Sequence, residues 1–300
     1  MQQLRLRSDA GQPLRDSAVT LAAWSMRWES TVLAASQRRP TTQATYSTLM
    51  KTSVRPYLGG IALADLRPSD LEAWLAQLQA KGLSASTRRQ TLTVLRGCLQ
   101  DAVRDGLIAS NPATKVARPT LWRVEATHYS AAQVATLLAS AAEHRLRPLL
   151  LLLAGTGLRR GEALALSWDN VDFERGEIRV RGTLVRTAAG LVVHPPKTSN
   201  GWRTVPISAP VAAALTDRRQ RQRHARLAAG PSWIGSPFVF TTAAGTPLDP
   251  RNVTRWFTAL AADCHIGGSL HALRHSALTG MAVAGVPLAV VSRIAGHESI

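Results

Sequence analysis

Three short stretches carry residue types suited to gripping an anion and moving protons beside it. The first is Thr156-Gly157-Leu158-Arg159-Arg160-Gly161-Glu162. Its glycines let the chain turn tightly out of one helix, and a second helix is expected from about Arg160. A helix N-terminus offers unpaired N–H groups and positive potential, both favourable to phosphate. Arg159 stands at that corner, and Glu162 either braces it or simply complements the helix dipole. The second stretch is a polar turn between two short strands, holding Lys197 after His194-Pro195-Pro196. A flexible ammonium there reaches a neighbouring ligand and can donate a proton. The third is His271-Ala272-Leu273-Arg274-His275, with Gly296-His297 further on. His271 and Arg274, three apart, share one helix face, and an imidazole beside a guanidinium makes an anion clamp. The rest of that helix is apolar, and polar groups entering such a helix generally have a partner or a task. Gly296 suits a helix C-cap, with His297 just beyond it. Each stretch alone has an ordinary explanation: a helix corner with surface arginines, a solvated loop lysine, a packed histidine. His275 is balanced between packing and substrate contact. No C-x-x-C or His/Cys cluster points to a metal site, so none is expected.

The elements that must position these residues are mostly helical. From Val19 to about Ala109 the apolar spacing predicts helices. One is capped by Thr41 or Thr42 and runs toward Tyr57 before Gly59-Gly60. One opens on a capping box, Ser69 to Glu72, and continues through Gln79. One starts at Ser84 or Ser86 and closes at Gly106. In this last helix Leu92, Leu95, Leu99 and Val103 form a single apolar stripe. Arg88, Arg89 and Arg96 are interleaved with the stripe and are candidates for contact with an anionic partner, as is Arg203. Asn111-Pro112 to Pro119 reads as a connector. A second capping box, Ser130 to Gln133, opens the next unit, and a buried helix from about Leu146 ends at Gly155-Thr156-Gly157. Between Gly176 and Ile207 the period becomes two. Segments around Glu177–Arg181, Leu191–His194 and Trp202–Ile207 are expected to form one three-stranded antiparallel sheet. Leu278 to Val291, interrupted by Gly280, Gly285 and Pro287, reads as two buried helices. The expected fold is mainly α: a basic arm over 1–18, a helical domain over 19–110, a linker over 111–127, and a mainly α domain with a small sheet over 128–300.

The 300 residues suit two domains, and 45% hydrophobic content is enough to build real cores. A formal charge of +17 opposes folding by self-repulsion and points to a polyanionic partner, of which DNA is the commonest. The basic residues are spread along the chain rather than gathered in one tract, which disfavours an anionic membrane surface. They are nearly all arginine; the lysines are Lys51, Lys81, Lys115 and Lys197. Cys98 and Cys264 lie among apolar neighbours and read as core fillers in a reducing compartment. The polar, basic start lacks the apolar centre of a secretion signal, and the longest apolar run, Leu149 to Ala154, is far too short to span a bilayer. A cytoplasmic, DNA-associated protein with no membrane contact is expected.

Taken together and in order, these stretches resemble the catalytic domain of the tyrosine recombinases, the phage integrase family. The hallmarks of that family are Thr-Gly-Leu-Arg-x-x-Glu, a hairpin lysine, His-x-x-Arg-His and a later Gly-His. They fall here at Thr156 to Glu162, Lys197, His271 to His275 and Gly296-His297. The resemblance covers about residues 19–300, with the N-terminal part resembling the family's core-binding domain by pattern. It implies cleavage and rejoining of double-stranded DNA, one strand at a time, through a 3′-phosphotyrosine, with no metal, nucleotide or other cofactor. It implies that Arg159 and Arg274 hold the non-bridging phosphate oxygens and that Lys197 is the general acid for the 5′-oxygen. It implies that His271 and His297 complete the clamp and that Glu162 orders it, with His275 in support. It also implies a homotetramer on DNA for a full-length protein. The family's nucleophile lies about nine residues after the Gly-His histidine, whereas the tyrosines here are Tyr46, Tyr57 and Tyr129. The expectation is therefore a catalytic domain incomplete at its C-terminus, which binds DNA without cutting it. The alternatives are a non-catalytic DNA-binding protein (a regulator or a decayed integrase remnant) and a type IB topoisomerase, which shares the chemistry. An RNA-binding helical protein accounts for the charge but not for four ordered clusters.

Overall fold

The computed structural model describes residues 19–122, 128–196 and 199–296. The chain divides into two compact units, Met1–Val124 and Glu125–Ile300, each with its own apolar core.

In the first unit, α1 (Leu21–Trp28) is capped by the Thr20 hydroxyl and runs into a wider π turn, Glu29–Leu33. α2 (Pro40–Leu49), a π turn over Met50–Val54 and α3 (Arg55–Leu58) form the next helical run. The span matches the helix expected to Tyr57. Its interior is wound wider just before Pro56, which has no N–H to continue the regular ladder. α4 (Pro68–Ala80) begins earlier than the Ser69 box predicts: Pro68 takes the first turn, and the Asp70 carboxylate accepts the Arg67 N–H at 2.8 Å. α5 (Ala85–Arg104) is capped by Ser84 and buries Leu92, Leu95 and Leu99. The large aromatics of this core each satisfy their indole N–H: Trp24 on the Cys98 carbonyl, Trp74 on the Ser53 carbonyl and Trp28 on Asp101.

The expected connector is partly core. Ala113 and Val116 are buried in the first unit, and the Asn111 amide donates to the Arg96 carbonyl at 2.9 Å. Burial of Cys98 pushes its thiol far above the ordinary range, as expected of a core filler.

In the second unit, α6 (Ala131–Ser140) opens on the reciprocal Ser130–Gln133 cap. α7 (Arg147–Thr156) is the central helix, with Leu149, Leu150, Leu152 and Leu153 buried. After it come α8 (Arg160–Leu164) and the strands β1 (Val171–Asp172), β2 (Glu177–Val180), β3 (Thr183–Thr187), β4 (Gly190–His194) and β5 (Arg203–Pro206). α9 (Ala209–Ala229), α10 (Pro250–Asp263), α11 (Leu270–Val283) and α12 (Leu288–Ala295) complete the unit, with α9 and α11 packed on α7.

The sheet differs from expectation. A three-stranded antiparallel sheet exists, but its order is β1-β2-β5; Leu191–His194 belongs to a separate hairpin with β3, in register Leu184 with Val193. Thr183–Thr187 supplies the partner that the spacing did not single out. The second correction concerns the α11–α12 turn: Val283 and Leu288 lie exposed, so those helices bury one face each and not their junction.

Candidate phosphate-binding site

The site forms where three chain reversals meet. α7 ends on Gly157, whose φ of +63° is left-handed and where a Cβ would sit 3.1 Å from Leu278 of α11; glycine satisfies both demands. The chain then turns through Leu158 into Arg159, directly before α8. α12 ends on Gly296, φ +66°, and a Cβ there would crowd Arg203 at 3.1 Å and the Asn200 carbonyl at 3.2 Å. The two helix ends thereby converge on the start of α11.

Arg274 sits at the centre of this meeting point. It is buried on α11, and its guanidinium donates to the Gly157 carbonyl and to the Ala295 carbonyl, both at 2.6 Å. Burial, and after it the neighbouring positive charge of Arg159, pulls its pKa down to about 10, which still leaves it charged at neutral pH.

Glu162 holds the second arginine. Its carboxylate accepts the Arg159 backbone N–H at 2.8 Å and the Arg159 guanidinium at 2.9 Å. It also accepts two bonds from Arg203, at 3.1 and 2.8 Å. Burial favours the neutral acid, but the two arginines outweigh it and hold the carboxyl below its ordinary range. Arg159 reaches the Gly296 carbonyl as well, at 3.4 Å.

Arg159, His271 and Arg274 line one cavity of about 350 Å³, together with Leu158, Arg160, Thr254 and Ser269. His271 packs edge-on against His275, ring centroids 4.8 Å apart. Burial, and then the charges of His275, Arg274 and Arg159, lower the His271 pKa below its ordinary 6.5. Lys197 and His297 lie outside the described residues.

The DNA-contact candidates fare differently. Arg203 is corrected outright. Its side chain is 3% exposed, paired with Glu162, and its Nε donates to the Ile294 carbonyl at 2.6 Å, so it belongs to the scaffold of the site. Arg96 turns inward onto the Ala113 and Val116 carbonyls. Arg88 donates to Gln79, and Arg89 is half-buried on the same helix. Sequence reasoning passed over Arg160 and Thr254 in the cavity wall. Nothing in their spacing marked them, because they stand 94 apart in sequence and meet only in the folded unit.

A pocket walled by guanidiniums and an imidazole, with no carboxylate among its described lining residues, has the chemistry to suit a phosphate ester. The comparisons give this class its family. The model of the phage integrase family matches residues 128–300, and that of the phage integrase N-terminal SAM-like domain matches residues 20–79. The chain belongs to the phage integrase family. It is 29% identical to a tyrosine recombinase XerC-like protein of Caldanaerobacter subterraneus subsp. tengcongensis, over 94% of this chain and 77% of the relative. Its fold is similar to that of the Tn1549 transposon integrase in complex with a circular intermediate DNA: TM-score 0.77, 24% identity, 94% of this chain and 92% of that one. It is also similar to that of a lambda integrase tetramer bound to a Holliday junction: TM-score 0.73, 18% identity, 98% of this chain and 78% of that one.

Proposed function

We propose that this protein is a site-specific recombinase that grips a DNA phosphodiester between Arg159 and Arg274 and acts, as its family does, by strand cleavage and rejoining through a phosphotyrosine. The carrying observation is that Arg159, His271 and Arg274, drawn from stretches more than a hundred residues apart, line a single cavity. Phosphoryl transfer gathers negative charge on the non-bridging oxygens, and fixed cations stabilise it without reorganising. Arg274 and Arg159 supply those cations. His271, neutral in the free protein, donates a hydrogen bond or accepts a proton. Lys197 is assigned the general acid role and His297 a place in the clamp, with His275 in support, each by its position in the family pattern. The protein works on double-stranded DNA in the cytoplasm, and recombination proceeds in a homotetramer, the assembly named for the lambda integrase neighbour. No helix among the described residues is long and apolar enough to cross a membrane.

The proposal does not assign the nucleophile to Tyr46, Tyr57 or Tyr129, which lie upstream and match nothing in the family pattern. Tyr129 is buried and its hydroxyl donates to the Ser269 carbonyl at 3.0 Å, while Tyr57 lies beneath Lys81 and Tyr46 beneath Arg38. The 300 residues are therefore expected to bind duplex DNA and to form no covalent adduct. Binding to sequences selected from a random duplex pool is expected to weaken on the order of 1,000-fold between 50 and 200 mM salt. A nicked duplex built on the selected sequence tests the adduct on a denaturing gel. Salt-independent binding removes the proposal, and an adduct through any of the three tyrosines removes the exclusion.

The lowered His271 pKa gives a pH signature. A bound phosphate adds negative charge beside the ring and raises its pKa, so binding takes up a proton between the free and bound values. Affinity is expected to rise as pH falls from the raised pKa of the bound ring to the lowered pKa of the free ring, and to level off once the free imidazole is protonated. As pH falls from about 6.5 through the lowered value the free protein loses stability, because its folded form favours the neutral ring. Calorimetric titration in buffers of different ionisation enthalpy reads the proton uptake, which is expected to vanish in His271→Gln.

A further inference from the structure

The cavity has a second cationic pole that the preceding reading does not use. Arg160 follows Arg159 in the chain, yet different elements hold the two guanidiniums. Arg159 is fixed by Glu162 and the Gly296 carbonyl. Arg160 extends to α10, where Nη1 donates to the Thr254 hydroxyl. That hydroxyl donates its own hydrogen bond to the Pro250 carbonyl at 3.1 Å, so it serves Arg160 as a neutral acceptor and tether.

Among the described residues no carboxylate is hydrogen-bonded to Arg160. Asp249 is near enough to feel its charge, but Asp249 is engaged: Arg186 donates to one oxygen through Nε, at 2.7 Å, and through Nη2. The other Asp249 oxygen accepts the Arg251 backbone N–H at 2.9 Å. Among the described residues Arg160 makes no ion pair. A guanidinium has five N–H donors, and here one is bound to an uncharged partner. The cavity thus has a pole at Arg274 and Arg159 and another at Arg160, with a volume in the range of sites that hold a whole small ligand.

We propose that Arg160, steadied by Thr254, is a second phosphate subsite that takes the phosphodiester neighbouring the one held by Arg159 and Arg274 on the same DNA strand. This rests on the DNA-binding reading above and adds to it. Two adjacent phosphates gripped at two poles fix the register of the strand, and so decide which phosphodiester reaches the clamp.

The test compares thymidine 3′,5′-bisphosphate with thymidine 5′-monophosphate by calorimetry or NMR titration. The unmodified protein is expected to bind the bisphosphate about tenfold more tightly. Arg160→Ala is expected to abolish that advantage, weakening the bisphosphate about tenfold more than the monophosphate, and Arg160→Lys to restore part of it. Thr254→Val is expected to reduce the advantage several-fold. Arg223→Ala, an exposed arginine of α9 outside the cavity, controls for general positive charge and is expected to change neither value. With duplex DNA, Arg160→Ala is expected to lower the log–log salt slope by about 0.9, one phosphate contact. The subsite is overturned if the bisphosphate gains nothing in the unmodified protein, if Arg160→Ala weakens both nucleotides alike, or if Arg223→Ala has the same effect. If duplex DNA itself does not bind, the DNA reading falls and the subsite falls with it. Duplex binding with an unchanged slope in Arg160→Ala overturns the subsite alone.

Discussion

Replacing Arg203 by alanine is expected to lower the melting temperature of the second unit by roughly 10 °C. Arg203 and Glu162 are 3% and 5% exposed and joined by two hydrogen bonds, so removing the cation strands a carboxylate in the interior. Breaking such a pair from one side costs about 3–5 kcal/mol, and in a unit of this size each kcal/mol moves the midpoint by about 2–4 °C. The Ile294 carbonyl also loses its donor. Acid sensitivity should change in a definite direction. In the native protein the Glu162 carboxyl is held below its ordinary value, so its contribution to stability is full above about pH 4.5 and is lost as pH falls through the lowered value. Without Arg203 the balance shifts toward burial, and acid unfolding begins at higher pH. The double variant Glu162→Leu, Arg203→Met separates scaffold from function. Thermal stability should largely return, since apolar replacement of a buried pair is close to neutral. Duplex affinity should not, because Arg159 has lost the carboxylate that aims it. Melting curves and DNA titrations on the three proteins decide this. A single variant that melts with the unmodified protein would show that the pair does not hold the site.

What was legible in the sequence follows from the range over which each signal acts. Ser84, Ser130 with Gln133, and the glycines after α7 and α12 act within one turn of chain, and the structure keeps those boundaries. Arg203 was open to a better reading. Val205 and Ile207 face the core, and the two-residue period places Arg203 on the same side. Charge alone sent it outward; alternation sends it in, and a buried guanidinium then requires the carboxylate that Glu162 provides. The pairing of β4 was not readable, because alternating segments state which face is buried and not which neighbour completes the ladder. The Arg160–Thr254 contact was not readable either, since it depends on how α8 and α10 pack.

Substituting Arg274 by lysine is expected to remove nearly as much duplex affinity as substituting it by alanine, a loss of about 2–3 kcal/mol, or roughly 30- to 150-fold. The two carbonyls that receive its guanidinium, Gly157 and Ala295, stand at the C-terminal ends of α7 and α12, where helix dipoles concentrate partial negative charge. A planar fork meets both at once and keeps its orientation in the cavity. An ammonium satisfies one, leaves the other buried without a donor, and presents no second parallel bond to phosphate. Charge is lost as well as geometry. Arginine begins high enough that burial and Arg159 bring it only to about 10, whereas lysine begins near 10.4 and the same surroundings push it toward neutrality. Arg274→Lys should therefore recover affinity on acidification more steeply than either the unmodified protein or Arg274→Ala, which has no group there to protonate. Duplex titrations of the three proteins between pH 6 and 8 read the effect. Near-native binding by the lysine variant at pH 8 would mean that position 274 contributes charge alone, and that the two helix ends do not set the clamp.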